Sequence, residues 1–135
     1  MRCTDVSALG LVALAVVLAG CASTPAPKGS SDDRGCIRRN EINAITPLDD
    51  DHILVKLSAA RYQLFTVDPP CNGLRKARGI TIADAAPRVC GDGTATIAFD
   101  YLGVGPTRCR IRRSEPVADK AAALELIEER ASREE

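Results

Sequence analysis

Residues 53–67 decide the fold, and they read Ile-Leu-Val-Lys-Leu-Ser-Ala-Ala-Arg-Tyr-Gln-Leu-Phe-Thr-Val. Successive side chains of a β-strand point to opposite sides, so alternation of apolar residues indicates a strand with one buried face. One face of the first run carries Ile53, Val55 and Leu57. The second run alternates in the same way, with Tyr62, Leu64 and Thr66. Residues 58–61 between the runs are enough to close a hairpin, so the stretch predicts two antiparallel neighbours.

Short alternating runs separated by turn residues continue through the rest of the chain. A weaker run spans residues 36–45. Residues 68–73 must be irregular, because consecutive prolines remove two backbone donors and Asn-Gly favours a turn. A short strand around residues 80–82 follows. The glycines of residues 91–93 then permit a compact turn before a strand at residues 94–101.

The last predicted strand carries apolar and basic side chains on opposite faces. Cys109 and Ile111 point inward in this prediction, and the opposite face carries Arg108, Arg110 and Arg112. Short strands at regular spacing are typical of antiparallel sheets. We therefore expect a mainly β fold, a small disulfide-stabilised antiparallel sheet or partial barrel of five to six strands, followed by a C-terminal α-helix.

The predicted helix covers residues 119–133, which are rich in Ala, Glu and Leu. These residues favour helix, and Asp119 lies near the start, where the helix dipole favours a negative charge. A narrow apolar stripe is expected along Val117, Ala121, Leu124, Ile127 and Ala131. Docking of the stripe on the sheet is the simpler interpretation, and a helix that binds a partner is the alternative.

The composition argues against a nucleic-acid partner. Lys plus Arg and Asp plus Glu both number 18, and the chain has two Tyr, two Phe and no Trp. Nucleic-acid binding requires excess positive charge, and stacking of bases requires aromatic side chains. We expect a core built from Ile, Leu, Val and Ala.

Four cysteines fall in the predicted domain: Cys36, Cys71, Cys90 and Cys109. An even number in so small an exported domain indicates a disulfide framework. Zinc is the weaker alternative, because there is no Cys-x-x-Cys pair and the single histidine lies far along the chain from all four. Three pairings are possible, and loop-closure entropy barely separates them. We prefer Cys71 with Cys90 and Cys36 with Cys109, a bond that would join the first strand to the last.

The N-terminal segment contains an apolar run, residues 8–19, that is shorter than the roughly 20 residues needed to span a bilayer as a helix. The run ends in Leu18-Ala19-Gly20-Cys21. This pattern resembles the lipobox of bacterial lipoprotein precursors. The resemblance implies cleavage before Cys21, lipidation of its thiol and acylation, for example with palmitate, of the new amino terminus. Two or three acyl chains give stable membrane attachment, whereas one chain binds only marginally.

The lipobox divides the chain into parts with different expected roles. Residues 1–20 are a signal peptide, and residues 21–35 are a flexible tether, because this polar segment has too few apolar residues to order itself. Residues 36–117 form the disulfide-bonded β domain, and residues 118–135 the C-terminal helix. By resemblance to sorting in Gram-negative bacteria, the residues after Cys21 imply the outer membrane, with the domain facing the periplasm.

Several motifs occur in order along the domain: Cys36-Ile37, Asp49-Asp50-Asp51, Tyr62, Cys71-Asn72-Gly73-Leu74, Cys90-Gly91-Asp92 and Cys109-Arg110-Ile111. Together they resemble a family of small bacterial lipoproteins whose shared domain has no assigned function. The resemblance covers about residues 36–117 and leaves the terminal helix outside. It implies the fold and the location, and it implies no catalytic residue.

His52 is the only imidazole, so any histidine acid–base chemistry must use it. No serine lies in a nucleophile-elbow context, so we expect a structural or solvated histidine.

Asp49, Asp50 and Asp51 are candidate calcium ligands, but three adjacent residues cannot all point at one ion. A solvated turn before the strand is favoured. We expect no catalytic residue, no metal and no cofactor.

Basic residues concentrate in two segments: Arg75, Lys76 and Arg78, and Arg108, Arg110, Arg112 and Arg113. If the first segment packs over the last strand, they form one anion patch for lipid phosphate, lipopolysaccharide or an acidic protein. The alternative is that these arginines keep an exposed edge strand from aggregating.

The expected function is that of a non-enzymatic cell-envelope lipoprotein, a binding or structural module. Its expected partners are the membrane, through the lipid anchor, and an envelope protein or an anionic envelope component. The alternative is a hydrolase or inhibitor acting on an envelope substrate. The absence of a recognisable nucleophile and base pair counts against the enzyme.

Overall fold

The computed structural model describes residues 35–57 and 60–135. The predicted signal peptide, the lipidation site Cys21 and the predicted tether up to residue 34 lie outside the described residues, as do Ser58 and Ala59. The strands and the helix, in chain order, are β1 (Ile37–Arg38), β2 (Ile42–Pro47), β3 (His52–Leu57), β4 (Tyr62–Asp68), β5 (Arg78–Ile82), β6 (Arg88–Val89), β7 (Thr96–Asp100), β8 (Pro106–Val117) and α1 (Lys120–Glu134).

Six strands form one antiparallel sheet in the order β2-β3-β4-β8-β7-β5. The sheet is nearly closed, and β1 and β6 pair as a separate two-stranded ribbon. The predicted mainly β fold with a C-terminal helix is therefore confirmed. The single run expected at residues 36–45 is divided, because a 3-10 turn at Arg39–Glu41 separates β1 from β2.

The interior of the sheet holds one continuous apolar core. It contains the inward-facing residues predicted for β3 and β8, namely Ile53, Val55, Leu57, Cys109 and Ile111. Strand β4 is buried on both faces, with Phe65 and Val67 in this core and Leu64 under the helix. The alternation Tyr62, Leu64, Thr66 therefore marks the side of β4 that faces away from the core.

Both disulfides join different cysteines from those we preferred. Cys36 is bonded to Cys90, and Cys71 is bonded to Cys109. The preferred pairing of Cys71 with Cys90 and of Cys36 with Cys109 is wrong. All four cysteines of the domain are nevertheless disulfide-bonded, so the disulfide framework itself is confirmed.

Strand register explains which cysteines meet. Ile37 of β1 lies opposite Val89 of β6, so the residues just outside this pair are the two cysteines of the first bond. Asp68 of β4 lies opposite Arg110 of β8, and the turn after β4 brings Cys71 against the adjacent residue of β8. The disulfide pairing therefore depends on which strands are neighbours, and loop-closure entropy contains no information about that.

Strand β8 occupies the middle of the sheet, between β4 and β7, and the edge strands are β2 and β5. The explanation that the arginines of the last strand protect an exposed edge is therefore wrong. Arg108, Arg110 and Arg112 are exposed as predicted, but they cover the outer face of a central strand.

Helix α1 begins after Asp119, whose side chain accepts a hydrogen bond from the backbone N–H of Ala122 at 2.9 Å. This is the usual N-cap arrangement, in which a side-chain oxygen satisfies a free backbone donor. The helix packs on the sheet through Ala123, which is fully buried against Leu54 and Leu64. The docking interpretation is confirmed.

The packed face of α1 differs from the predicted stripe. Leu126 and Ile127 lie against the sheet together with Ala123, whereas Leu124 is 46% exposed and Ala121 and Ala131 are also exposed. The prediction is wrong at these three positions and right at Val117 and Ile127, because the packed face is rotated slightly from the predicted stripe. No helix within the described residues is long and apolar enough to cross a membrane.

Candidate functional site: a groove between the helix and the sheet

The turn between β2 and β3 fixes the orientation of His52. The backbone N–H of Leu48 donates to the carbonyl of His52 at 2.9 Å, and the backbone N–H of Asp51 donates to Asp49 Oδ1 at 2.7 Å. His52 Nδ1 lies 2.9 Å from both carboxylate oxygens of Asp49. An ionised carboxylate only accepts hydrogen bonds, so Nδ1 carries the proton. This contact orients the ring and leaves Nε2 for another partner.

The other two aspartates connect the same turn to neighbouring segments. Asp50 accepts a hydrogen bond from the backbone N–H of Cys71 through its carbonyl, at 2.8 Å, and one from Arg75 N through its carboxylate, at 3.1 Å. The carbonyl of Asp51 accepts from Val67 N at 2.8 Å. Among the described residues, no group of three or more His, Cys, Asp or Glu side chains is arranged to hold a metal.

His52, Thr66 and Arg113 lie side by side on three neighbouring strands. His52 of β3 is opposite Thr66 of β4, which is opposite Arg113 of β8. The register then shifts, because Val67 pairs with Ile111 and leaves one extra residue in β8. Such bulges redirect side chains. The bulge places two consecutive arginines, Arg112 and Arg113, at the same groove.

Thr66 is the most unusual residue of this row. It is only 8% exposed, and within the described part of the chain its buried Oγ1 has no hydrogen-bond partner. A buried hydroxyl without a partner costs about 1–3 kcal/mol. A ligand that hydrogen-bonds to this hydroxyl would remove that cost.

The groove lies between the C-terminal half of α1 and the outer face of the sheet, and its volume is about 420 Å³. Ile127 and Ala131 of the helix form one wall, and His52 and Thr66 of the sheet form the other. The charged lining has both signs: the basic residues are Arg112, Arg113 and Arg130, and the acidic residues are Asp49, Asp51, Asp68 and Glu134. In the structure as described, neither Arg112 nor Arg113 forms an ion pair within 4 Å.

Arg130 fixes the helix over this groove by binding Glu115 of β8. Two guanidinium nitrogens donate to the two carboxylate oxygens at 2.6 Å each. These hydrogen bonds, with the positive charges of Arg130 and Arg113, lower the pKa of Glu115 despite its partial burial. The same contact raises the pKa of Arg130. Arg130 is thus engaged, which leaves Arg112 and Arg113 as the cations available to a ligand.

The structure distributes the predicted anion patch over different surfaces. Arg112 lines the helix–sheet groove, whereas Lys76 and Arg78 line a separate cavity beside the β7–β8 hairpin. Arg108 and Arg110 are exposed on the outer face of β8, and Arg75 donates its backbone N–H to Asp50.

Sequence reasoning missed Thr66 as a site residue, together with Arg130 and Glu115. A signal for Thr66 exists in the sequence, since it stands between Phe65 and Val67 in a strand that is apolar on both faces. The ion pair between Arg130 and Glu115 carries no such local signal, because it depends on how the helix docks.

These features define a small disulfide-bonded β domain with a docked helix and a groove of mixed charge. A model of the family of unknown function DUF6491 matches residues 5–133, so the chain belongs to that family. The match includes the C-terminal helix, so our expectation that the shared region stops near residue 117 is wrong. Neither the curated proteins nor the solved structures include a significant match.

Proposed function

We propose that this chain is a cell-envelope lipoprotein, lipidated at Cys21, whose β domain is a non-enzymatic module that binds an anionic group in the helix–sheet groove. The lipobox resemblance supports the location, and two disulfides suit an oxidising compartment. The observation that carries the binding role is the buried, unpartnered hydroxyl of Thr66 next to Arg113.

The groove offers the donors that an anion requires. The buried Thr66 hydroxyl would donate one hydrogen bond to a carboxylate or phosphate that enters the groove, and the guanidinium groups of Arg112 and Arg113 would donate charge-assisted hydrogen bonds to it. The acidic residues of the lining, among them Asp51 and Asp68, disfavour a ligand with many negative charges. The ligand class that fits is a single carboxylate or phosphate on an otherwise neutral or cationic molecule.

A titration of the full chain with acetate and with inorganic phosphate, followed by NMR, tests the binding role. Arg113→Gln is expected to weaken binding roughly tenfold or more, since a hydrogen bond to a charged group contributes about 1.5–3 kcal/mol. Arg108→Gln is the matched control, because Arg108 is exposed on the same strand outside the groove. Equal losses in both variants, or no binding to the unmodified chain, would contradict the proposal.

Lipidation at Cys21 has its own test. Cells that express the full chain are labelled with radioactive palmitate, and we expect the label in the unmodified chain but none in Cys21→Ser. Cys3→Ser is the control, since Cys3 lies in the segment that would be removed, so this variant keeps the label. Label that persists in Cys21→Ser, or that is absent from the unmodified chain, rules out the anchor.

A hydrolase is the second candidate, because the Asp49–His52 contact lies beside the Thr66 hydroxyl in the order acid, imidazole, hydroxyl. This is the order of groups in nucleophilic catalysis. The hydroxyl makes no hydrogen bond to His52, and therefore we favour binding. A serine-hydrolase probe that labels Thr66 in the full chain, and fails to label His52→Gln, would establish the enzyme instead.

A further inference from the structure

The tip of the β7–β8 hairpin, residues 101–105, carries two apolar side chains that do not contribute to the core, Leu102 and Val104. Leu102 is 79% exposed and Val104 is 85% exposed, more than any other large apolar side chain among the described residues. Leu102 also has a left-handed backbone, with φ of 61°. This conformation is unfavourable for a residue with a branched side chain, so the fold holds an apolar residue outward at some cost.

Basic side chains flank this apolar tip. Lys76 and Arg78 are exposed and line a cavity of about 580 Å³ next to Tyr101 and Leu102. Within the described residues neither of them forms an ion pair within 4 Å, although Asp100 lines the same cavity. The cavity therefore combines an apolar rim with a net positive charge.

The segment that carries Lys76 and Arg78 packs closely against the β7–β8 hairpin. A Cβ atom on Gly73 would lie 2.5 Å from Cδ1 of Tyr101, so the turn before Lys76 packs closely on the tyrosine ring. The disulfide between Cys71 and Cys109 joins the same turn to β8. The basic residues and the apolar tip thus form one preorganised surface.

We propose that the apolar tip inserts into the interface of an anionic bilayer, with Lys76 and Arg78 contacting lipid phosphates. Exposed apolar patches mark interaction sites, and basic residues add attraction to anionic lipids. The positive charges of Lys76 and Arg78 favour binding to an anionic membrane surface over a neutral one. This inference does not depend on the helix–sheet groove or on lipidation.

The absence of tryptophan from the chain allows a single fluorescent reporter to test insertion. Val104→Trp in the full chain is mixed with phosphatidylglycerol vesicles and with phosphatidylcholine vesicles whose acyl chains carry bromine, a contact quencher. Leu124→Trp is the matched control, because Leu124 lies on α1 and is the other exposed large apolar residue in the part of the chain that the structure describes. Both variants have the same N-terminus, so any difference between them reports the tip.

We expect the emission of Val104→Trp to shift to the blue and to be quenched in the anionic vesicles, whereas Leu124→Trp is unchanged. Adding Lys76→Gln and Arg78→Gln should lower the ratio of inserted to free tip roughly thirtyfold, since each basic residue near the surface contributes about 1 kcal/mol. Equal quenching of the two reporters would overturn the proposal. So would a blue shift that depends on protein concentration without vesicles, because the tip would then bind a second copy. Circular dichroism establishes that each variant is folded.

Discussion

Arg130 of α1 donates two parallel hydrogen bonds to Glu115 of β8, each 2.6 Å long. The two side chains are 28% and 26% exposed, so this pair is better shielded from water than an ordinary surface ion pair. It holds the C-terminal half of the helix on the sheet and thereby maintains one wall of the groove.

The Arg130–Glu115 pair predicts a pH dependence of stability. Because the folded-state pKa of Glu115 is lowered from 4.5, its contribution is complete above that value and is lost as the pH falls through the folded-state pKa. Glu115→Gln should therefore lower the free energy of unfolding by about 1 kcal/mol at neutral pH, and this loss should shrink as the pH is lowered from neutral through the folded-state pKa. Urea denaturation across this range measures the difference. Glu129→Gln is the control, since its pair with Arg133 is exposed on the helix and should contribute little at any pH.

Thr66→Val separates the role of the Thr66 hydroxyl in binding from its effect on stability. Valine keeps the branched shape and removes a buried group without a partner, so the free energy of unfolding should rise by about 1 kcal/mol or more. Binding of acetate or phosphate should fall in the same variant. Thr81→Val serves as the comparison, because the Thr81 hydroxyl donates to the Ala98 carbonyl at 3.3 Å, and this change should give no gain. A loss of stability in Thr66→Val would show that the hydroxyl has a partner in the folded protein.

Removal of either disulfide should lower the free energy of unfolding by a similar amount, although the two bonds lie in different parts of the fold. They close loops of 54 and 38 residues, for which chain entropy gives about 4 kcal/mol each. We expect the double variant Cys71→Ser with Cys109→Ser to show this loss in denaturant unfolding. Mass spectrometry of non-reduced peptides should first show Cys36 linked to Cys90. A peptide linking Cys36 to Cys109 contradicts the strand order described above.

Gly91 is expected to tolerate no side chain, because a Cβ atom there would lie 2.2 Å from the backbone nitrogen of Ser114. Gly91→Ala must displace β8 and should cost about 1–3 kcal/mol, as overpacking does. Gly93 has a φ of 84° and open space around it, and asparagine accepts this conformation. Gly93→Asn should therefore lower the melting temperature less than Gly91→Ala does. A Gly91→Ala variant as stable as the unmodified chain would contradict the close approach of β8 to this glycine.

Local periodicity predicted most of the secondary structure but little of the long-range pairing. The alternation in β3 and β8 identified the faces that line the main core, although Leu54 on the other face of β3 is also buried, under the helix. The order of strands, the disulfide pairing and the packed side of α1 all depend on contacts between distant segments. Leu124 illustrates this, since its apolar character favours burial while the docking angle of the helix leaves it exposed.

The groove was only partly predictable for the same reason. The sequence alone identified as candidates His52, Asp49 and Arg112. The position of Thr66 between His52 and Arg113 can be recognised only when the register of three strands is known. The bulge that brings Arg112 and Arg113 together has no counterpart in the alternation pattern. Residue type indicated the chemistry, and topology determined which groups meet.

The central position of β8 has a consequence for the way the protein is made. Without residues 106–117, the sheet consists of two pieces, β2-β3-β4 and β5-β7, which have no hydrogen bonds to each other. A nascent chain therefore cannot complete this sheet until residues 106–117 have left the ribosome, and pairing of segments that are distant in the sequence is slow. Until those residues have been synthesised, the two pieces of the sheet cannot be joined.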